Sequence, residues 1–172
     1  TVDRYGRLDV LVNNAANALT QPVGQFTVDA YTKSFDVNVR GPVFLSQAAL
    51  PHLIASGHGS ILNIVSAGAY LFSGDVSMYS AGKAAMVSFT KSFAAALAPQ
   101  GVRVNAMAPG PVDTDMVRNN PPEFVDILAR STLLGRVADP DEMVGTALLL
   151  TSDAGSYLTG QVIGVDGGLV PR

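Results

Sequence analysis

Short apolar runs alternating with longer helical patterns constrain this chain more than any other feature. Val10-Leu11-Val12, Ile61 to Val65, Val102 to Met107 and Gln161 to Val165 read as strands buried on both faces. Turn formers stop them: Asn13-Asn14 after the first, Pro109-Gly110-Pro111 after the third and Gly167-Gly168 after the fourth. Thr27 reads as the N-cap of a helix running through Tyr31, Phe35 and Val39 toward Leu50. After a Gly/Ser-rich loop from Ala67 to Gly74, a second helix covers roughly Met78 to Leu97 before Gly101, and Asp139-Pro140 starts a third through Leu150. Strands separated by helices pair through crossovers, which makes the sheet parallel and puts helices on its faces. The expected fold is α/β, a doubly wound parallel sheet with about four strands, residues 1–172 forming one domain. Residues 113–136, polar and broken by Pro121 and Pro122, read as a substrate flap, with Met116, Val117, Phe124, Ile127 and Leu128 as candidate pocket residues.

Composition narrows the function classes. Hydrophobic residues make up 48% and charged residues 15%, enough apolar material for a core and too little charge for a disordered chain. The absence of Cys excludes disulfide frameworks and thiolate metal sites, and His52 and His58, six apart, have a poor metal spacing, so no metal site is expected. The net charge is −3 and the 11 basic residues are scattered, which argues against nucleic acid and anionic membranes as partners. No apolar run reaches the length of a membrane span, and Thr1 to Arg7 carry no signal-peptide core; a cytoplasmic location is the expectation.

Ligands of open parallel sheets gather at the carboxyl ends of the strands. Asn13-Asn14-Ala15-Ala16, Ser66 and Pro109-Gly110 would all face that crevice. Tyr79 and Lys83 open the helix after the second strand and, four apart, share a helix face. A nearby ammonium favours a phenolate, which makes Tyr79 a plausible general acid/base. Chance alone would supply about 0.09 such pairs in a chain with this Tyr and Lys content. Ser66 lies 13 residues before Tyr79 and Asn38 lies 41 before it, and the joint pattern is far rarer than the pair.

These residues resemble the motifs of the short-chain dehydrogenase/reductase family over essentially the whole chain. Asn13-Asn14-Ala15-Ala16 stands for the family's Asn-Asn-Ala-Gly, with Ala16 in place of the glycine. Asn38, Ser66 and Tyr79-x-x-x-Lys83 match the catalytic tetrad, Pro109 to Thr114 matches the segment beside the nicotinamide, and Thr159-Gly160-Gln161 with Asp166-Gly167-Gly168 resembles the C-terminal signature. The resemblance implies a Rossmann-like, NAD(P)-dependent oxidoreductase interconverting a carbonyl and a secondary alcohol. Tyr79 would exchange a proton with the substrate oxygen and Ser66 would hydrogen-bond that oxygen. Lys83 would lower the Tyr79 pKa and hold ribose hydroxyls, and Asn38 would anchor a water joining Lys83 to solvent. Asn14, Ala15, Ala16, Tyr79, Lys83, Pro109, Gly110, Val112 and Thr114 would bind the cofactor, NAD or NADP. Val102 to Asn105, Thr114-Asp115-Met116 and Leu134-Gly135-Arg136 resemble 3-oxoacyl-carrier-protein reductases, in stretches shared with sugar, polyol and secondary-alcohol dehydrogenases.

The family's N-terminal glycine-rich turn, which receives the pyrophosphate, does not occur in this sequence; its first three strands, about 70 to 90 residues with their helices, are absent. The expectation is that an N-terminal half has been omitted, the alternative being a genuine truncation that works as a silent assembly or scaffolding partner. Without that half, the edge at Asp9 to Val12 should expose apolar residues. Pro42 lacks an N–H, so a Gly41-Pro42 kink would leave the carbonyl of Asn38 in need of a buried water. The Tyr79 helix is apolar nearly all round, and one sheet covers one face of a helix; a subunit interface on it, in a homodimer or homotetramer, is expected. A methyltransferase on the same architecture would have no use for the Ser66, Tyr79 and Lys83 set.

Overall fold

The computed structural model describes residues 1–19, 21–71, 74 and 76–170. Its centre is a four-stranded parallel sheet, β1 (Val10–Asn13), β2 (Ser60–Ile64), β3 (Arg103–Pro109) and β4 (Val162–Val165), in spatial order β1-β2-β3-β4. Register sets Val12 beside Leu62, Leu62 beside Asn105, and Ala106 beside Val162. Because every pairing is parallel, the four carboxyl ends form one rim, and the loops leaving that rim meet.

The helices are α1 (Val2–Tyr5), α2 (Val28–Phe35), α3 (Gly41–Ser56), α4 (Ser77–Leu97), α5 (Asp115–Arg118), α6 (Pro122–Arg130) and α7 (Val144–Thr151). On one face of the sheet α3 and α4 bury Ala49, Leu53, Ala94 and Leu97 against Ile61 and Val104. Met86 of α4 packs there too, with Val65, Ala106 and Ala108. On the opposite face Leu150 of α7 covers Leu62 and Met107. Alternation along a strand explains the division, since Ile61 and Leu62 must point to opposite faces.

Burial on both faces, expected for every strand, fails at the two edge strands: no residue of β4 is fully buried, and β1 is open on one side. Leu11 packs under the α3 side. Val12, on the other face, is 48% exposed, because α7 lies over β2 and β3. The exposed edge expected at Asp9 to Val12 is therefore present in the described residues.

The helix beginning at Thr27 forms as expected, the Ala30 N–H donating to Thr27 Oγ1 at 3.2 Å. It does not continue as one α-helix. Residues Asp36–Arg40 widen into a π turn, closed by the Gly41 N–H donating to the carbonyl of Asp36, five residues back. The widened turn lets the chain pass Pro42, which has no N–H for the usual bond; a proline-induced adjustment of this kind replaces the expected simple kink. Asp139 caps the third helix with Glu142 in a reciprocal capping box, but its first turn, Pro140–Met143, is a 3₁₀ turn before α7. In the loop read from Ala67 to Gly74 the residues Ala67–Ala69 form a 3₁₀ turn, and Phe72 and Ser73 lie outside the described residues.

Candidate active site

Ser66 stands just past the carboxyl end of β2 and caps the Ala67–Ala69 turn, its Oγ accepting the Gly68 N–H at 3.0 Å. That bond uses an oxygen lone pair and leaves the hydroxyl hydrogen to donate. Its partner is the phenol oxygen of Tyr79, on the first turn of α4. Gly68 packs close beside them: a Cβ there would stand 3.2 Å from Ser66 Oγ, a tight contact, and 3.7 Å from the Tyr79 ring. One turn further along the same face, the Lys83 side chain is 3% exposed and its Nζ donates to the carbonyl of Ile64 at 2.8 Å. The ammonium lies 5.6 Å from the centroid of the Tyr79 ring.

Burial pushes the Tyr79 phenol above its ordinary value, and the Ser66 hydrogen bond partly offsets this. Burial also pulls Lys83 down to about 8. The sequence had suggested that Lys83 would lower the Tyr79 pKa. In this geometry the ammonium is turned to Ile64, and desolvation of the phenol wins over any help from the cation. Tyr79 is consequently a protonated group at neutral pH.

Asn38 lies in the π turn and is 1% exposed. Its Nδ2 donates to the Asn17 carbonyl at 3.0 Å and to Asn17 Oδ1 at 3.2 Å, and its Oδ1 accepts the Asn17 N–H at 3.2 Å. The side chain is thus committed to the loop after β1 and makes no direct bond to Lys83. It still touches the helix that carries Lys83, since a Cβ on Gly82 would meet Asn38 Cβ at 3.3 Å. The absence of a side chain at Gly82 lets the π turn and α4 come this close.

A cleft of about 670 Å³ opens at the rim of the sheet. The structure brings Asn14, Ala15, Ala16, Ser66, Tyr79, Lys83, Pro109, Gly110, Val112 and Thr114 together on its walls; Asn38 does not line it. Ala16 serves where the motif has glycine because no non-glycine residue described here has a positive φ. Of the flap candidates, Met116 and Val117 line the cleft; Phe124, Ile127 and Leu128 do not, because they sit on α6, beyond the short helix α5 that borders the opening.

Several groups on these walls suit a nicotinamide and its ribose. Among the described residues no acceptor meets the Val112 N–H, although Val112 is buried; its neighbours are bonded, Asp113 N–H to Ala138 and Thr114 N–H to Val112. An orphaned amide of this kind calls for a ligand acceptor. A Cβ on Gly110 would meet the Asp166 backbone at 2.8 Å, so the strand ends crowd together below the cleft floor. Lys83 bonds one acceptor and has two further N–H groups to offer. Among the described residues no cluster of three acidic or histidine side chains could hold a metal ion, and no helix is long and apolar enough to cross a membrane.

Sequence reasoning missed Asn17, Asn63 and Thr90. Asn63, 2% exposed, interrupts an apolar strand, and a buried amide there is costly unless bonded; that was its available signal. Asn17 and Thr90 gave none, since their partners are fixed only by the fold.

The family model described as enoyl-(acyl carrier protein) reductase matches residues 1–170. A 3-oxoacyl-[acyl-carrier-protein] reductase of Thermotoga maritima is 39% identical over 170 residues, covering 98% of this chain and 69% of that protein. An uncharacterised oxidoreductase of Bacillus subtilis is 42% identical over 172 residues, covering 98% and 58%. The solved gluconate 5-dehydrogenase of Burkholderia cenocepacia in complex with NADP and tartrate superposes with a TM-score of 0.94 at 36% identity, covering 99% of this chain and 68% of that one. The chain spans 58 to 70% of the length of the curated relatives it matches. A likeness of this extent, running through every strand of the sheet and not through one motif alone, makes the chain a member of the short-chain dehydrogenase/reductase family.

Proposed function

We propose that this chain carries the acid/base residues of an NAD(P)-dependent oxidoreductase that interconverts a carbonyl and a secondary alcohol. The observation that supports it most is the meeting of a protonated phenol, a hydroxyl hydrogen-bonded to it and a buried ammonium on one cleft wall. In the reducing direction Tyr79 gives its proton to the carbonyl oxygen. Ser66 turns its hydroxyl hydrogen from the phenol to the same oxygen, holding it within reach. The phenolate left behind is stabilised by the Lys83 ammonium on the same helix face. Oxidation runs these steps backwards, Tyr79 then acting as base. A bound nicotinamide dinucleotide would supply or remove the hydride.

On this chain the Val112 amide and Thr114 would hold the carboxamide of the nicotinamide, and Lys83 and Tyr79 the ribose. Asn14, Ala15, Ala16, Pro109 and Gly110 would line its path. Solved relatives in complex with NADP and with NADPH support a nicotinamide dinucleotide as the cofactor. Asn38 acts by fixing the π turn against Gly82, a support for a water between Lys83 and solvent. Residues 113–136 close over the substrate, with Met116 and Val117 touching it. The unit is a homodimer or homotetramer, formed through α3 and α4.

Titration of the chain with NADH and NADPH, followed by nucleotide fluorescence, tests the reading. Saturable binding, with turnover of a ketone that falls about 100-fold or more in Tyr79→Phe while nucleotide affinity holds, is the expected result. A chain that binds neither nucleotide would instead support the scaffolding role.

A further inference from the structure

A directed chain of buried hydrogen bonds runs along the α3/α4 face of the sheet, from β1 to β2 and on to α4. Asn13 Nδ2, at the end of β1, donates to Ser46 Oγ of α3 at 3.0 Å and to Asn63 Oδ1 of β2 at 2.8 Å. Asn63 Nδ2 donates to Thr90 Oγ1 of α4 at 2.9 Å, and Thr90 Oγ1 donates to the Met86 carbonyl at 2.7 Å. Asn13 is 7% exposed, Ser46 1%, Asn63 2% and Thr90 0%. Asn13 and Asn63 are register partners in the parallel pair, so their side chains share the α3/α4 face. Each amide and hydroxyl has a fixed direction in the chain, which leaves one arrangement that satisfies them all.

Two side-chain hydrogen bonds fasten α4 to β2, Asn63 to Thr90 and Lys83 to the carbonyl of Ile64. They engage adjacent strand residues and helix residues seven apart, two full turns on one face. Thr90, Met86, Lys83 and Tyr79 recur along α4 at intervals of four, three and four, one stripe along the helix. Ser66 is three residues beyond Asn63 on β2 and its outgoing turn.

We propose that Asn63 and Thr90 are positioning residues, a buried pin that sets how far α4 slides along β2 and thereby sets the Tyr79 phenol against Ser66. An α-helix transmits an axial slip at Thr90 to its first turn, about 16 Å away at 1.5 Å per residue, because its bonds resist compression. Lys83 alone does not fix the slide, since its four-carbon stem follows the carbonyl over more than an ångström. The short threonine side chain against a buried asparagine has no such reach. A displacement of about 1 Å at the reacting atoms is enough to slow a positioned proton transfer about 100-fold.

The consequence for turnover rests on the oxidoreductase reading; the positioning does not, and it is read from the phenol. Ultraviolet titration of tyrosinate absorbance, as the difference between the chain and its Tyr79→Phe variant, isolates Tyr79. Thr90→Val is isosteric and breaks the pin, Thr90→Ser keeps the hydroxyl, and the paired change Asn63→Leu with Thr90→Val removes the Asn63 donor together with its acceptor, leaving Asn13 Nδ2 its bond to Ser46 Oγ alone. Loss of the pin withdraws the phenol from Ser66, so Tyr79 should titrate about half a pH unit or more higher in Thr90→Val and in the paired variant, and as in the parent in Thr90→Ser. The paired variant supplies the same readout if Thr90→Val does not fold. An unchanged midpoint in folded pin-less variants overturns the proposal, as does an equal shift in Thr90→Ser. A chain in which Tyr79 shifts as expected but no nucleotide binds would uphold the pin and reject the enzyme reading.

Discussion

Lys83 holds an ammonium where water hardly reaches it, and that has a consequence for stability that can be measured apart from any activity. Its folded pKa is about 8 while an unfolded lysine titrates near 10.5. Between those values the unfolded chain keeps a proton that the folded chain has released. Stability therefore rises with pH across this window and falls again as pH drops through 8. Two to three pKa units correspond to a few kcal/mol, and from pH 7 to 9.5 the gain amounts to about 2 kcal/mol. Urea denaturation at those two pH values should show the parent gaining about that much relative to Lys83→Met, in which other alkaline titrations cancel. Equal pH dependence of parent and variant would mean that the lysine is solvated. Position and pairing of this residue were legible in sequence, by its spacing from Tyr79; the depth of its burial and its bond to Ile64 were not, because they depend on how α4 meets β2.

Arg103 is a device of the elements. It opens β3 and reaches across the sheet to the end of α7, where the last carbonyls of a helix lack partners of their own. Its Nη1 donates to the carbonyl of Leu150 at 2.9 Å and of Leu158 at 3.2 Å, and its Nη2 to that of Ser152 at 3.0 Å. A cation at a helix C-terminus also interacts favourably with the dipole. Arg103→Met keeps the stem and strips these bonds, with an expected loss of about 2 kcal/mol in urea denaturation; a change under a few tenths would show that water serves the carbonyls as well. Strands and helices themselves were largely readable, because apolar runs and the 3.6 period mark them and Thr27 and Asp139 mark two starts. Pro42 announced an irregularity, yet the sequence did not say that it would take the form of a π turn, with Asn38 packed against Gly82. Phe124, Ile127 and Leu128 were misplaced at the cleft for a related reason: an amphipathic pattern shows that a face is apolar and does not say what it faces.

At the scale of the molecule, the sheet leaves the outer faces of α3 and α4 without cover. Phe44 is 59% exposed, Leu45 53% and Ile54 37%, while Ala81, Ala84 and Ala95 lie exposed along α4. Small residues on one helix allow a second helix to approach closely, and large apolar ones beside them supply area to bury; a patch of this kind marks an interaction surface. A twofold interface would set α3 and α4 of one copy against those of another, each residue meeting its counterpart's neighbourhood in a self-complementary patch. Such a contact would also brace α4, the helix that carries Tyr79 and Lys83, from the side the sheet cannot reach. Sedimentation of the chain at micromolar concentration should give a dimer or tetramer. Phe44→Glu should shift it to monomer with its far-ultraviolet dichroism unchanged, since the side chain is mostly exposed within the subunit, whereas Leu148→Glu, exposed on α7 across the sheet from α3 and α4, should leave that interface intact. If the parent sediments as a monomer, the face serves something other than a second copy.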